Sequence, residues 1–173
     1  EKAKEEQNID LMKKYASRTS RLTKEMIEDS KKLITLLGLP IVQAPSEGEA
    51  QASYIAKKEN CFVLSQDYDS LLYGAPSLVR NLSILGKRKQ ANKLNYTTVK
   101  PEIINLAETL NNLGLDNDQL IIVAMLIGTD YNQGGIKGIG PKNALSLTKK
   151  YQRDPDRLFK EVNWDACFDM PWT

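Results

Sequence analysis

The sequence predicts an α/β fold, a parallel sheet covered by helices and followed by a wholly helical region. Two observations carry this. In the first part of the chain, short apolar runs at residues 41–44 and 61–65 each lead into helical periodicity, and strands that alternate with helices pair in parallel. After Pro101 the apolar positions recur only with helical spacing. A length of 173 residues and an ordinary apolar fraction suit a single well-buried domain.

The elements follow in order. Residues 1–36 are charged and helix-favouring, with Met26, Ile27, Leu33, Ile34 and Leu37 on the helical repeat, Thr23 as N-cap and Gly38 as the stop. The run 41–44, after Pro40, reads as a buried strand, and Ser46 as the cap of a helix reaching about residue 58. Residues 61–65 form a second buried strand with Cys61 in the core, leading into a short helix around 68–73. Segments 78–84 and 94–99 flank the basic tip LGKRKQANK as a hairpin or a strand pair joined by a loop; Lys87, Arg88 and Lys89 could touch DNA, but a solvated tip that discourages edge pairing is the favoured reading and no role is assigned to them. Pro101 opens a helix carrying Ile103, Ile104, Leu106, Leu110 and Leu113, which stops near Gly114. Asp116 or Asn117 caps the next, whose residues 120–127 are almost continuously apolar and therefore expected to be buried. Pro141 starts a helix to about 151, and a last short one spans about 155–162.

Composition excludes several function classes. There is no histidine, so histidine-dependent nucleophilic mechanisms have no support, and Cys61 and Cys167 match no zinc spacing. The net charge of +2 requires any nucleic-acid contact to be local. No run approaches the roughly 20 apolar residues of a membrane span, and no signal-peptide pattern opens the chain, so the expectation is a soluble intracellular protein. The chain starts at Glu1 inside a charged helical pattern without a cap, and is expected to belong to something larger.

The chemistry sits in five acids: Glu47 and Glu49 in APSEGEA, Asp67 and Asp69 in SQDYDS, and Asp130 in IGTDY. Each lies where an apolar segment ends or a helix begins. Glu47 and Glu49 alone fit a helix start, where the dipole favours carboxylates in any protein, and Asp130 alone fits a helix end or turn. Asp67 and Asp69 are two apart, so in extended chain both would point to one side at the carboxyl end of their strand, where ligands of open α/β sheets collect. Like charges gathered there are costly without a cation, and hard Mg²⁺ or Mn²⁺ prefer oxygen ligands. Shortly after Asp130, GGIKGIGPKNAL is a glycine-rich basic turn opening a helix. It suits an ordinary helix–helix joint, or a phosphate grip built of backbone N–H groups with Lys137 and Lys142.

The segments IVQAPSEGEAQASYIA, SQDYDSLLYGAP, LVRNL and IGTDYNQGGIKGIGPKNAL together resemble the structure-specific flap endonucleases of the 5′ nuclease group, in an archaeal flavour. The resemblance implies a parallel-sheet, PIN-like nuclease core followed by a helical helix-two-turn-helix DNA-binding region. Residues 1–37 would be a helical lead-in from the arch side, 38–130 the internal nuclease region, and 131–173 the helix-two-turn-helix with the C-terminal helices. It implies Glu47, Glu49, Asp67, Asp69 and Asp130 as catalytic, metal-binding carboxylates for two Mg²⁺ ions, with Mn²⁺ able to substitute. It also implies a DNA-binding turn of Gly135, Ile136, Lys137, Gly138, Ile139, Gly140 and Lys142. Carbonyls of Gly135, Ile136 and Ile139 would hold K⁺ against duplex DNA, and Lys137 and Lys142 would contact phosphate. The implied partners are branched or 5′-flap DNA and an N-terminal nuclease half, in cis or as a separate chain, and the implied setting is DNA replication and repair at the nucleoid or in a nucleus. The chain departs from the family in lacking that half, in Asn143 where a basic residue is common, and in having no sliding-clamp motif. The alternative is a duplex-DNA-binding module that keeps the turn and does not cut.

Overall fold

The computed structural model describes residues 21–82, 86–89, 96–152 and 154–172. The chain divides into two compact units, Glu1–Gln43 and Ala44–Thr173. In the first, helix α1 spans Lys24–Leu36. Thr23 caps it as expected: its backbone is extended and its Oγ1 accepts the Met26 N–H at 3.2 Å, satisfying one of the first-turn donors that a helix leaves unpaired. Gly38, at φ +76°, ends it. No residue of α1 is buried, and the earlier part of the expected lead-in lies outside the described residues. The expected strand at 41–44 does not form. Ile41 and Val42 are exposed; β-branched residues favour a strand only against a neighbouring one, and these two have none among the described residues.

The second unit begins with helix α2, Gly48–Glu59, whose N-cap is Glu47 and not Ser46, with no side-chain cap bond. Strand β1 is Val63–Leu64, helix α3 Asp69–Leu72 and strand β2 Ser77–Arg80. The sheet has the order β1–β2–β5, with β5 at Glu102–Asn105. β1 and β2 pair in parallel, as expected, through Val63 and Leu78 and through Leu64 and Val79. β5 runs antiparallel to β2, so the sheet is mixed. The cause is local: the β-branched Ile103 and Ile104, expected in a helix, lie opposite Val79 and Leu78 as apolar cross-strand pairs. The helix waits for a better cap. Asn105 accepts the Glu108 N–H at 3.0 Å and starts α4, Leu106–Leu113.

Val63 is buried, but Phe62 and Leu64 are exposed and Cys61 is exposed as well, so β1 is covered on one face and Cys61 is not core. The core of this half, Ala56, Val63, Leu71, Ala75 and Leu78, packs between α2, α3 and that face. The hairpin also differs from expectation. Its arms are β3, Lys87–Lys89, and β4, Tyr96–Thr98, so Lys87–Lys89 of the basic tip are strand. Residues 78–80 are taken by the main sheet, and Val99 N–H closes the hairpin base on the Gly86 carbonyl at 2.9 Å. The rest of that expectation, at 83–85 and 90–95, lies outside the described residues.

Helix α5, Asn117–Ile127, is set by a capping box: Asp116 accepts the Gln119 N–H at 2.8 Å and Gln119 Oε1 accepts the Asp116 N–H at 2.9 Å. Of its apolar run only Leu126 is fully buried; Ile127 is exposed and the others are half-buried. Helices α6, Pro141–Lys150, and α7, Pro155–Glu161, start at their prolines as expected. A short helix, α8, Trp164–Cys167, has no counterpart in the sequence reading. Leu126, Ile136, Ala144, Leu158, Phe159 and Trp164 form a second core. Phe159 meets Trp164 edge-on at 5.2 Å and Trp172 stacked at 4.7 Å.

Candidate functional site

All five expected acids line one cavity of about 410 Å³, together with apolar and neutral residues, among them Tyr73, Tyr131, Trp164, Met170 and Pro171. Three places supply them. Glu47 and Glu49 come from the start of α2, Asp67 and Asp69 from the loop into α3, and Asp130 from the turn after α5. The pairing of Asp67 and Asp69 differs from expectation: Asp69 opens α3 and Tyr68 before it is helical, so a bend and not an extended strand brings both to the cavity.

Among the described residues no lysine or arginine lines the cavity. The carboxyl of Asp69 is accordingly pushed above its ordinary value, first by burial, then by the charges of Glu49, Asp67 and Asp130. These acids sense one another across the cavity. Even so, among the described residues no three histidine, cysteine, aspartate or glutamate side chains stand close enough to hold a metal ion directly. An all-oxygen, uncompensated and open set of this kind fits a hard cation that keeps several waters, and does not fit a dry cage of protein ligands.

Each acidic segment is braced by residues that sequence reasoning missed. Ser53, buried in α2, places its Oγ 2.6 Å from the Glu49 carbonyl and 3.0 Å from that of Ser70, tying α2 to α3. Ser65 donates to Glu49 Oε1 and accepts the Asp67 N–H at 3.1 Å. Arg80 braces the same loop: its Nε donates to the Gln66 carbonyl at 3.0 Å, its Nη1 to the Tyr68 hydroxyl, and its guanidinium lies 4.0 Å over the Tyr68 ring. Asn132 holds the Asp130 turn. It is buried, its Oδ1 accepts from the N–H and Oγ1 of Thr129 at 3.0 and 2.6 Å, and its Nδ2 donates to the Met125 carbonyl at 2.6 Å. The hydroxyls of Tyr73 and Tyr131 lie 3.3 Å apart, bridging α3 to that turn, and this bond is the first cause that pushes the Tyr73 phenol up to about 12. The one available signal was polar residues flanking the acids, which is too common to single them out.

The glycine turn is fitted against α5. Gly135 sits at φ +55°, and a Cβ there would lie 2.2 Å from the Ile127 carbonyl carbon and oxygen; one on Gly128, at φ +120°, would lie 2.7 Å from the Gly135 nitrogen. Only glycine allows this approach. Ile136 follows, buried, with its N–H on the Leu126 carbonyl at 2.9 Å and its carbonyl accepting from Ile139 at 3.0 Å. Gly138 takes φ +85° and Gly140 caps α6 without a side-chain bond. Lys137 and Lys142 are exposed.

Comparison with known proteins now decides the family, because the family model described as XPG I-region matches residues 38–130, the stretch that holds all five acids. The chain belongs to the XPG I-region family. Flap endonuclease 1 of Pyrococcus horikoshii is 53% identical over 154 residues, which is 88% of this chain and 45% of that protein. The structure of flap endonuclease-1 from Methanococcus jannaschii superposes with a TM-score of 0.70 at 48% identity, covering 89% of this chain and 45% of that one. The catalytic core of Rad2 in complex with DNA substrate matches with a TM-score of 0.64 at 27% identity, covering 82% of this chain and 43% of that one. This XPG I-region chain therefore spans about half the length of the relatives it matches. No helix among the described residues is long and apolar enough to cross a membrane.

Proposed function

We propose that this chain is the carboxylate-bearing, DNA-gripping portion of a structure-specific nuclease that hydrolyses phosphodiester bonds in 5′-flap DNA during replication and repair. The observation that carries the reading is the convergence of five acids on one cavity that no basic residue lines among the described residues. Glu47, Glu49, Asp67, Asp69 and Asp130 would hold two Mg²⁺ ions, or Mn²⁺, largely through water. When bound, such ions supply charge neutralisation at the scissile phosphate and a more acidic water. The chain's own residues orient the carboxylates and bring the duplex to them. The glycine turn offers backbone groups to a DNA strand, with Lys137 and Lys142 beside it for phosphates, and the carbonyls of Gly135, Ile136 and Ile139 would hold K⁺ between turn and duplex. The Rad2 relative, solved in complex with DNA substrate, supports DNA as the partner. The likeness to about half of each flap endonuclease supports a second participant, the N-terminal nuclease half, in cis or as another chain.

One observation favours a second reading, a duplex-DNA-binding module without cleavage: among the described residues no three acids are gathered closely enough to grip a metal on their own. Cleavage of a labelled double-flap DNA in Mg²⁺, by the chain alone and with a family-type N-terminal half, separates the two. The nuclease reading expects cutting with the half supplied, lost in Asp130→Asn with DNA binding retained. Binding without cutting in both mixtures, unchanged by Asp130→Asn, leaves the binding module.

A further inference from the structure

Ser65 stands one residue past β1, half-buried, with its backbone N–H on the Val79 carbonyl at 3.2 Å, so its main chain is fixed to β2. A serine hydroxyl has one hydrogen to donate and lone pairs to accept with. Here the hydrogen goes to Glu49 Oε1, and a lone pair takes the Asp67 N–H at 3.1 Å. Glu49 belongs to α2 and Asp67 to the loop beyond β1, so a single hydroxyl couples carboxylate-bearing residues of two separate elements. The backbone of α2 is already held from behind, where Ser53 Oγ approaches the Glu49 and Ser70 carbonyls. What remains free is the Glu49 side chain. Surrounded by like charges in the cavity it lines, that side chain would swing towards bulk water unless a donor held it. The Ser65 hydroxyl is that donor.

We propose that Ser65 is a positioning residue of the acidic site, holding Glu49 and Asp67 at the spacing at which they share one hard divalent cation. The inference rests on the proposed cation-binding role of the cavity. It assigns Ser65 the part that outer hydrogen bonds play around metal ligands generally, fixing an oxygen's orientation without touching the ion.

The test uses Mn²⁺ alone as probe, with the full chain, reading free Mn²⁺ by electron paramagnetic resonance. Ser65→Thr keeps the hydroxyl, and Ser65→Val has the same shape without it. The expectation is wild-type-like affinity for Ser65→Thr and a loss of about 10–100-fold for Ser65→Val, with the two variants melting within a few degrees of each other. Equal affinity in Ser65→Thr and Ser65→Val overturns the proposal, and so does loss of fold or affinity in both alike, because the hydroxyl is then not the cause. Asp69→Asn serves as the control on the site itself. If it abolishes Mn²⁺ binding while Ser65→Val binds normally, the cavity holds the cation and Ser65 alone is refuted; if the wild type binds no better than Asp69→Asn, the cation reading fails and takes the proposal with it.

Discussion

Replacing Gly135 with alanine tests whether the turn beside Asp130 is locked to α5 by backbone contact. The new Cβ would lie 2.2 Å from the Ile127 carbonyl carbon and oxygen and 2.6 Å from the Gly128 nitrogen, where a carbon contact is comfortable only at about 3.5–4.0 Å. Those are main-chain atoms and cannot rotate aside, so the end of α5 or the turn itself must shift. The left-handed conformation costs an alanine about 1–2 kcal/mol, and forced overpacking adds about 1–3 kcal/mol. A total of about 2–5 kcal/mol lowers the melting temperature by about 4–20 °C for a chain of this size. Gly134→Ala is the matched control. It sits at φ +85° with nothing within 4 Å of its Cβ, so it carries only the conformational cost, about 2–8 °C. Thermal unfolding of both variants, followed by circular dichroism, reads the difference. If Gly135→Ala melts no lower than Gly134→Ala, the close approach of turn and helix is not present in solution and the argument fails.

Three further outcomes are expected. With divalent cations chelated, Asp69, whose carboxyl is raised above its ordinary 3.8 by burial and then by Glu49, Asp67 and Asp130, contributes stability that is full below that value and lost as pH rises through the higher folded one; Asp69→Asn should therefore melt higher than wild type at neutral pH, and equal melting there refutes the mutual repulsion. Lys137→Ala and Lys142→Ala should each reduce the slope of log affinity against log salt for duplex DNA by about 1, and an unchanged slope in fluorescence anisotropy titrations removes that lysine from the phosphate contacts. Asp116→Ala breaks the capping box at the start of α5 and should cost about 1 kcal/mol, measured by urea unfolding.

The candidate site was more legible in the sequence, as a place where acids gather, than the fold around it. Five acids stood out because they lie at the ends of apolar segments in a chain without histidine, and these ends do meet at one cavity. The helix starts that rest on a strong local device were equally legible: Thr23, Asp116, and the prolines at 141 and 155. What failed depended on distant partners. Ile103 and Ile104 carry helical spacing and β-branched shape at once, and β2 decides between them by offering Val79 and Leu78 as cross-strand neighbours. Cys61 looked like core because apolar residues follow it, yet only one face of β1 is covered. The braces were invisible for the same reason, since Ser65 finds Glu49 across 16 positions and Arg80 reaches back 14 to Gln66.

These braces bear on what the acids are for. Carboxylates free to move would separate, because each lowers its energy by turning to water and away from its like-charged neighbours. Here every acidic segment is fixed by neutral or remote groups: α2 by Ser53, the loop into α3 by Ser65 and Arg80, and the turn after α5 by Asn132. None of these brings a positive charge into the cavity lining. The fold therefore holds the repulsion in place without neutralising it, and the raised carboxyl of Asp69 is the local sign of that cost. A purely structural role would be served as well by amides, which hydrogen-bond to the same partners without repelling one another. Compensation from outside the chain, by the proposed cation, large in charge and content with water-filled oxygen sites, would lower the energy of this cluster. Among the described residues no three acids stand close enough to close directly on an ion, so the proposed cation would keep waters between itself and the protein.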